Sequence, residues 1–236
     1  MAGILNIETS TPLCSVALAL DGQIVAQRET LEDKSHSALL TVFIEEILKE
    51  RKLQVMDLDA VAVGKGPGSF TGLRIGVSTA KGLCYGSKLP LIAAGTLEIL
   101  FTQALELVQA GIPGYDEEVL FCPMIDARRM EVFTCLFTSS GKVVENVSAR
   151  IIDRDSYSDL LSSRRIIFFG SGMDKCRGAL SHPNSLFLDD VYPHAAALAV
   201  MAEKAYHKRE FENLAYFEPF YLKDFIATIP KRNLAF

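Results

Sequence analysis

One ordered series of predicted elements occurs twice along the chain, and this repeat constrains the fold more than any other feature of the sequence. In the first half, two strands are followed by an Asp21-Gly22 turn, a third strand, a helix and a wholly apolar strand. An Asp-Gly pair between strand-like runs is a strong hairpin signal, because both residues tolerate positive φ. From Val119 onward the series recurs as strand, strand, turn, strand, helix and strand. The repeat predicts two lobes of similar architecture.

The spacing of apolar residues gives the positions of the elements. The predicted helices are residues 35–51, 69–85, 96–110, 155–163 and 193–209, and the predicted strands are residues 3–7, 14–20, 23–29, 60–63, 91–94, 119–126, 130–138, 143–152 and 166–169. Antiparallel strands followed by alternating helix and strand are typical of a mixed sheet covered by helices. The helix breaker at residues 111–114 predicts a boundary between lobes 1–110 and 115–236. The last helix is assigned to the second lobe, with packing back onto the first left open.

The charge of the chain argues against direct binding of nucleic acid. Its 24 Lys and Arg residues face 29 Asp and Glu residues, which gives a net charge of −5. A protein that binds RNA alone normally shows a basic face, because phosphate contacts dominate such affinity. We therefore expect any link to RNA to run through a partner. With 236 residues, 49% of them hydrophobic, the chain is long enough to bury a sizeable core.

The cysteines and the N-terminal sequence predict a cytoplasmic protein that does not span a membrane. The five cysteines show no C-x-x-C spacing and fall mostly in apolar runs, a pattern typical of free thiols in a reducing compartment. They are Cys14, Cys84, Cys122, Cys135 and Cys176. The start of the chain lacks the basic and apolar regions of a signal peptide. No run of about 18 apolar residues predicts a transmembrane helix.

The sequence carries no local signature of a catalytic or metal site, and we predict neither a cofactor nor a metal. The four histidines form no H-E-x-x-H arrangement, and no G-x-S-x-G elbow occurs. The glycine-rich run from Gly64 to Gly72 follows a strand and opens a helix, which is a context for anion binding. It departs from the P-loop pattern because Gly68 is followed directly by Ser69. Two interpretations remain open, an anion-binding turn and a tight turn in which Ser69 caps the helix.

Two helices of the first lobe have more apolar or small surface than one sheet requires. In helix 35–51 the apolar residues spread over roughly 180°, whereas burial on one side needs about 100°. Helix 69–85 adds a small-residue stripe that lets another backbone, of this chain or of a second one, come close. We predict an intermolecular interface, which Leu in place of Gly76 should weaken without unfolding the chain. The expected partner-binding residues are His36, Leu39, Leu40, Phe43 and Ile47 in the first helix, and Ser69, Phe70, Gly72, Leu73, Arg74, Gly76 and Thr79 in the second.

Five stretches of the sequence carry a resemblance to a known family. They are Ile4 to Ser10, His36 to Leu40, Gly66 to Gly76, Ile125 to Val132 and Pro219 to Leu222, in this order along the chain. The run from Gly66 to Gly76 is long enough to be specific. With these stretches the chain resembles the TsaB (YeaZ) family, the partner protein in bacterial synthesis of the tRNA base N6-threonylcarbamoyladenosine.

The resemblance implies an α/β fold of the actin-like ATPase (ASKHA) type, with two ribonuclease-H-like lobes whose mixed sheets are covered by helices. It implies a non-catalytic scaffold that pairs through the two helices, either with a second copy or with the catalytic homologue TsaD. The ATPase TsaE joins the TsaB–TsaD pair, and tRNA is reached only through the complex. TsaD transfers the threonylcarbamoyl group to adenosine 37 of tRNA.

The sequence departs from the pattern of the catalytic TsaD-type proteins, and we therefore predict a non-catalytic role. In TsaD-type proteins the strand after the glycine turn and helix leads into metal-binding histidines, whereas here it leads into Gly95 to Ile99 without histidine. Thr9, Ser10 and Arg128 are the candidate contacts for a nucleotide. Glu8 stands where an aspartate is more usual in the family.

Two alternative functions remain open at this point. An actin-like-fold kinase for a small molecule needs phosphate loops on both lobes, and the second loop would have to include the bulky pair Arg128-Arg129. A metallopeptidase of the glycoprotease type needs several metal ligands, which the sequence pattern does not supply.

Overall fold

Two five-stranded sheets form the framework of the structure, a computed structural model that describes residues 2–32, 35–111 and 118–223. The first sheet contains β1 (Gly3–Glu8), β2 (Cys14–Leu20), β3 (Gln23–Thr30), β4 (Ala60–Gly66) and β5 (Leu91–Gly95). Its strand order is β3-β2-β1-β4-β5. The sheet is mixed, because β1 pairs antiparallel with β2 and parallel with β4.

The second sheet repeats this arrangement. It contains β6 (Leu120–Asp126), β7 (Glu131–Thr138), β8 (Val143–Ile151), β9 (Ile166–Phe169) and β10 (Ser185–Leu188) in the order β10-β9-β6-β7-β8. Here β6 pairs antiparallel with β7 and parallel with β9, as β1 does with β2 and β4. The matching order of the two sheets confirms the predicted actin-like ATPase fold with two ribonuclease-H-like lobes. The pattern did not predict β10, because this strand has only four residues, all half-buried.

The helices follow the predicted series, except that α5 was not predicted and the ends of the others differ by a few residues. They are α1 (His36–Arg51), α2 (Phe70–Ser87), α3 (Thr96–Gln109), α4 (Ser158–Leu161), α5 (Met173–Cys176) and α6 (Ala195–Lys208), with one 3-10 turn at Val55–Asp57. Ser69 lies outside α2 because its hydroxyl accepts a hydrogen bond from the amide of Gly72 and caps the helix. The predicted helix 155–163 shortens to α4, because Tyr157 has a left-handed φ of 63°. The predicted boundary at residues 111–114 lies almost wholly outside the described residues.

α3 and α6 lie between the two sheets, and each packs against the sheet of the other half of the chain. α1 and α2 cover the outer face of the first sheet, and Leu198 of α6 packs with Ile4 and Ala62 on its inner face. α3 packs against the first sheet through Ile99 and also against the second, where the ring of Phe101 meets that of Phe121 edge to face at 5.3 Å. α4 and α5 cover the opposite face of the second sheet. This exchange ties the halves into one body.

The cysteines lie in the interiors of the two lobes. All five cysteines are free and buried, as the sequence predicts. Burial raises the pKa of Cys14 and of Cys84 to about 11, so both thiols stay neutral and act as apolar side chains.

Within the ranges that the structure describes, none of the helices combines the length and apolarity needed to cross a lipid bilayer.

The face of α2 that carries Gly72 and Gly76 packs against the loop between β1 and β2. A Cβ atom on Gly72 would lie 2.0 Å from the carbonyl oxygen of Thr9, and one on Gly76 would lie 2.2 Å from the Thr9 hydroxyl oxygen. That hydroxyl donates a hydrogen bond of 2.8 Å to the carbonyl oxygen of Gly72. Gly82, in contrast, has no atom within 4 Å of the place where its Cβ would be. Two helix glycines therefore serve an internal contact, and a third faces open space.

Two glycine substitutions in the same helix should change stability in opposite directions. Gly72→Ala is expected to lower the free energy of unfolding by about 2 kcal/mol, because the new methyl group overlaps the Thr9 carbonyl and forces the backbone to move. Gly82→Ala is the matched control and should raise it by about 0.5–1 kcal/mol, since alanine favours an exposed helix over glycine. Denaturant unfolding of both variants measures the difference. Equal effects would contradict the close contact at Thr9.

Candidate functional site

The carboxyl ends of β1 and β4 lie side by side, at the edge where α/β sheets usually bind ligands. In this chain the residues that follow β1 at this edge are buried and inaccessible to solvent. Glu8, Thr9 and Ser10 are each 0% exposed. Two of the candidate nucleotide contacts, Thr9 and Ser10, therefore lie in packed interior. Among the described residues, no three His, Cys, Asp or Glu side chains are grouped closely enough to hold a metal ion.

The turn between β4 and α2 covers this edge. The amide of Ser69 donates to the carbonyl oxygen of Ser10 at 2.7 Å, and a Cβ on Gly68 would lie 2.3 Å from the same oxygen. The Ser69 hydroxyl caps α2 by accepting from the amide of Gly72. Of the two open interpretations of the glycine-rich run, the structure agrees with the tight turn. The glycines let this turn lie directly against the loop after β1.

Glu8 is the charged group enclosed by this packing. One of its oxygens accepts the amide proton of Ser10 at 2.6 Å, and the other is buried without a hydrogen-bond partner. A Cβ on Gly64 would lie 1.9 Å from that second oxygen, so glycine at this position makes room for the longer acid. Burial raises the pKa of Glu8 to about 7, although hydrogen bonds from Ser10 and Thr9 act against the shift. Near neutral pH the carboxyl group is thus partly protonated.

The corresponding position in the second lobe is Asp126, at the end of β6, and its surroundings are open. Asp126 is exposed, forms an ion pair with Lys175 and accepts the amide proton of Arg128 at 2.8 Å. Arg128 and Arg129 both have left-handed φ angles, of 71° and 49°, and exposed side chains. The third candidate nucleotide contact therefore lies on the surface, whereas the other two lie inside the first lobe.

Several of the expected partner-binding residues are covered by the chain itself. They are Leu40, Ile47, Gly72, Leu73 and Gly76. The structure corrects the expectation for these residues: Leu40, Ile47 and Leu73 are buried in the first lobe, and the two glycines face Thr9. Leu in place of Gly76 would therefore disturb the fold, contrary to the expectation from sequence. Helical periodicity shows that a face is apolar or small but not which chain covers it.

The remaining expected residues reach the surface to different degrees. Ser69 and Arg74 are exposed, and the half-buried members are His36, Leu39, Phe43, Phe70 and Thr79. His36 also has an internal role, because its Nε2–H group donates to the carbonyl oxygen of Thr11 at 2.9 Å and fixes the loop after β1.

The outward face of α2 contains residues that the sequence reasoning missed. Thr71, Ser78, Gly82, Tyr85 and Gly86 are exposed and recur every three or four residues, so they share one side of the helix with Arg74. Tyr85 is 83% exposed, and the apolar side chain of Val42 on α1 is 40% exposed. A second small-residue stripe, from Ser78 through Gly82 to Gly86, was the signal that could have revealed this face. We call it, together with the exposed part of α1, the outer helix face.

The end of the described chain borders the outer helix face. Residues 212–223, which we call the C-terminal strap, run along α2 in the opposite direction. The carbonyl oxygen of Phe217 accepts from Lys81 Nζ at 2.8 Å, and the ring of Tyr221 lies 4.7 Å from that of Phe70. An apolar groove of about 620 Å³ opens beside the end of α2, lined by Cys84, Tyr85, Gly86, Lys88, Leu89 and Leu214. The strap thus forms one border of the outer helix face.

Comparison with known proteins gives one consistent set of relatives. The matching family model is described as "TsaD: tRNA N6-adenosine threonylcarbamoyltransferase" and covers residues 23–231. A Haemophilus influenzae protein named tRNA threonylcarbamoyladenosine biosynthesis protein TsaB is 29% identical over 94% of this chain and 93% of its own length. The Bacillus subtilis protein of the same name is 33% identical over 61% of this chain and 58% of its own length.

A solved structure agrees with these relatives. A crystal structure of a Pseudomonas aeruginosa protein, described as similar to the peptidase YeaZ, superposes with a TM-score of 0.80 at 25% identity. The superposition covers 94% of this chain and all of the other one. The likeness therefore extends over both lobes.

Titration of Glu8 should make the stability of the chain depend on pH. Its pKa is about 7 in the folded chain and near 4.5 when unfolded, so the folded state holds more protons between these values. The free energy of unfolding should therefore fall by about 3 kcal/mol as pH rises from 4.5 through 7. Glu8→Gln should flatten this dependence, and the exposed control Glu106→Gln should not. Urea unfolding across this pH range measures both, and a parallel fall in all three proteins would contradict the assignment.

Proposed function

The chain belongs to the TsaD family, and within it to the TsaB (YeaZ) branch, and on this basis we propose that it is a non-catalytic subunit in the biosynthesis of threonylcarbamoyladenosine in tRNA. The proposed partner is TsaD, the catalytic homologue that transfers the threonylcarbamoyl group. TsaE joins the resulting pair, and tRNA is bound by the complex. A homodimer through the same helices is the proposed resting form.

The closed edge of the first sheet is the observation that carries this proposal. In an actin-like enzyme the loop after the first strand has to be accessible if its amides are to meet a phosphate group. Here Thr9 and Ser10 are buried, and the carbonyl oxygens of both are in contact with the N-terminal part of α2 and the turn before it. Opening the loop would require α2 to move away from Thr9. A subunit that acts through its surface needs no such movement.

The outer helix face supports the second half of the proposal, namely partner binding. Tyr85 is exposed beside small residues, and aromatic side chains are common at the centre of protein interfaces. Gly82 and Gly86 have no side chain that would keep another helix at a distance, and open space surrounds both. Because TsaD belongs to the same family, we expect it to offer two helices of the same layout, so that the two pairs pack together as four helices.

Reconstitution tests the proposed function. TsaD, TsaE, tRNA and a supply of threonylcarbamoyl-adenylate are assayed with and without this chain. We expect modified tRNA only when the chain is present, no product from the chain alone, and a complex of the chain with TsaD in size-exclusion chromatography. Failure to bind folded TsaD would count against the proposal. Tight ATP binding with phosphoryl transfer by the isolated chain would favour a kinase instead, and metal-dependent peptide cleavage would favour a metallopeptidase.

A bulky residue at Gly82 should weaken partner binding without affecting the fold. Gly82→Leu adds a side chain where no atom lies within 4 Å, and it should keep a TsaD helix from coming close. We expect the affinity for TsaD to fall about tenfold or more, which corresponds to at least 1.4 kcal/mol. Gly178→Leu is the matched control, because Gly178 also faces open space but lies in the second lobe.

Both variants should remain folded, and Gly82→Leu should melt at or slightly above the temperature of the unmodified chain, because leucine favours an exposed helix over glycine. Calorimetric titration of TsaD with each variant then measures the change in affinity. Undiminished binding by Gly82→Leu would place the interface elsewhere on the surface.

A further inference from the structure

Arg74 lies on the outward face of α2, near the N-terminal end of the helix, and is held in place by aromatic residues. Its guanidinium carbon lies 4.1 Å from the centre of the Phe70 ring, and its Nε donates to the hydroxyl of Tyr221 at 3.4 Å. The rings of Phe70 and Tyr221 are themselves in contact, with centres 4.7 Å apart. Stacking of this kind orients an arginine before any ligand arrives, so less conformational freedom is lost on binding. Among the described residues, the guanidinium forms this one hydrogen bond through Nε, and its terminal nitrogens form none.

The surroundings of Arg74 leave its charge without a counterpart. In the part of the chain that the structure describes, Arg74 forms no ion pair. α2 contains no acidic residue, and its other cation, Lys81, donates to the carbonyl oxygen of Phe217. The outward face of α2 is therefore basic, although the whole chain has a net charge of −5. An oriented guanidinium of this kind matches a carboxylate, which it binds with two parallel hydrogen bonds.

The two helices of a second copy offer a poor source of that carboxylate. On α1, Glu45 pairs with Lys49, and Glu46 and Glu50 both pair with Arg28 at 3.2 and 2.6 Å. Pairing of α2 with the α2 of a second copy would bring together helices that each carry Arg74 and Lys81 and no acid. Like charges across an interface are unfavourable, more so when water is excluded.

We propose that Arg74, positioned by Phe70 and Tyr221, binds a carboxylate on a helix of a different protein, and that this contact makes α2 select a heterologous partner over a second copy. The inference rests on the proposed function and adds the chemistry of the partner: an acidic side chain on the helix that meets α2. Phe70 and Tyr221 are positioning residues, and the C-terminal strap is part of the docking surface because it supplies Tyr221.

Charge reversal combined with a change of salt concentration tests the proposal. The affinity for TsaD and the self-association of the chain are each measured at low and at high salt, for the unmodified chain and for Arg74→Glu. An attractive pair weakens as salt rises, whereas repulsion between like charges is relieved. We therefore expect binding to TsaD to weaken in high salt and self-association to stay constant or strengthen. Arg74→Glu should lower the affinity for TsaD about tenfold or more without weakening self-association.

Two further variants separate a charge contact from a loss of structure. Arg154→Glu reverses an exposed arginine of the second lobe and should leave both equilibria unchanged. Tyr221→Ala removes the support of the guanidinium and should weaken TsaD binding, whereas Tyr221→Phe keeps the ring and should retain most of it. Melting curves check that every variant is folded.

The outcomes distinguish this inference from the function on which it rests. If the unmodified chain does not bind TsaD, both are overturned. If it binds, and Arg74→Glu binds equally well, only the role of Arg74 is overturned. Self-association that weakens in salt and disappears in Arg74→Glu would also overturn the inference, since a second copy would then supply the carboxylate.

Discussion

The contact between α2 and the loop after β1 is the constraint on which the other features of the first lobe depend. Thr9 touches Gly72 through its carbonyl group and Gly76 through its hydroxyl, at distances that leave no room for a side chain on either glycine. This contact closes the edge of the sheet, buries Glu8 beneath it, and fixes which side of α2 faces outward. This one contact therefore closes the edge of the first sheet and leaves the outward side of α2 exposed.

The sheets and the long helices could be predicted because their signals are local. The Asp21-Gly22 turn fixes a hairpin register, and the apolar spacing of α1 and α2 marks both helices to within two residues. The family resemblance added the fold, whose repeated strand order the structure shares. β10 and α5 escaped prediction, and α4 was predicted too long, because short elements carry too few residues for a periodic pattern to emerge.

The site was harder to predict because its contacts join distant parts of the chain. The glycine stripe of α2 correctly indicated a close backbone approach, but the approaching residue is Thr9, 63 positions away from Gly72. The exposed stripe lies on another side of α2, roughly 120° around the helix axis at about 100° per residue. A helical wheel separates the two small-residue stripes but does not show which of them the chain itself covers. Arg74 meets Tyr221 across 147 positions, so no local pattern could have joined them.

The crossed packing of α3 and α6 has a consequence for synthesis on the ribosome. When residues up to 111 have emerged, Ile4 and Ala62 still lack part of their cover, because Leu198 of α6 has yet to be made. α3, in turn, has no surface for Phe101 until the second sheet exists. The halves resemble each other in topology, yet each completes the interior of the other. A nascent chain must therefore expose apolar surface until almost its last element is translated. Dividing the gene between the repeats would yield two fragments, each with part of its apolar core exposed.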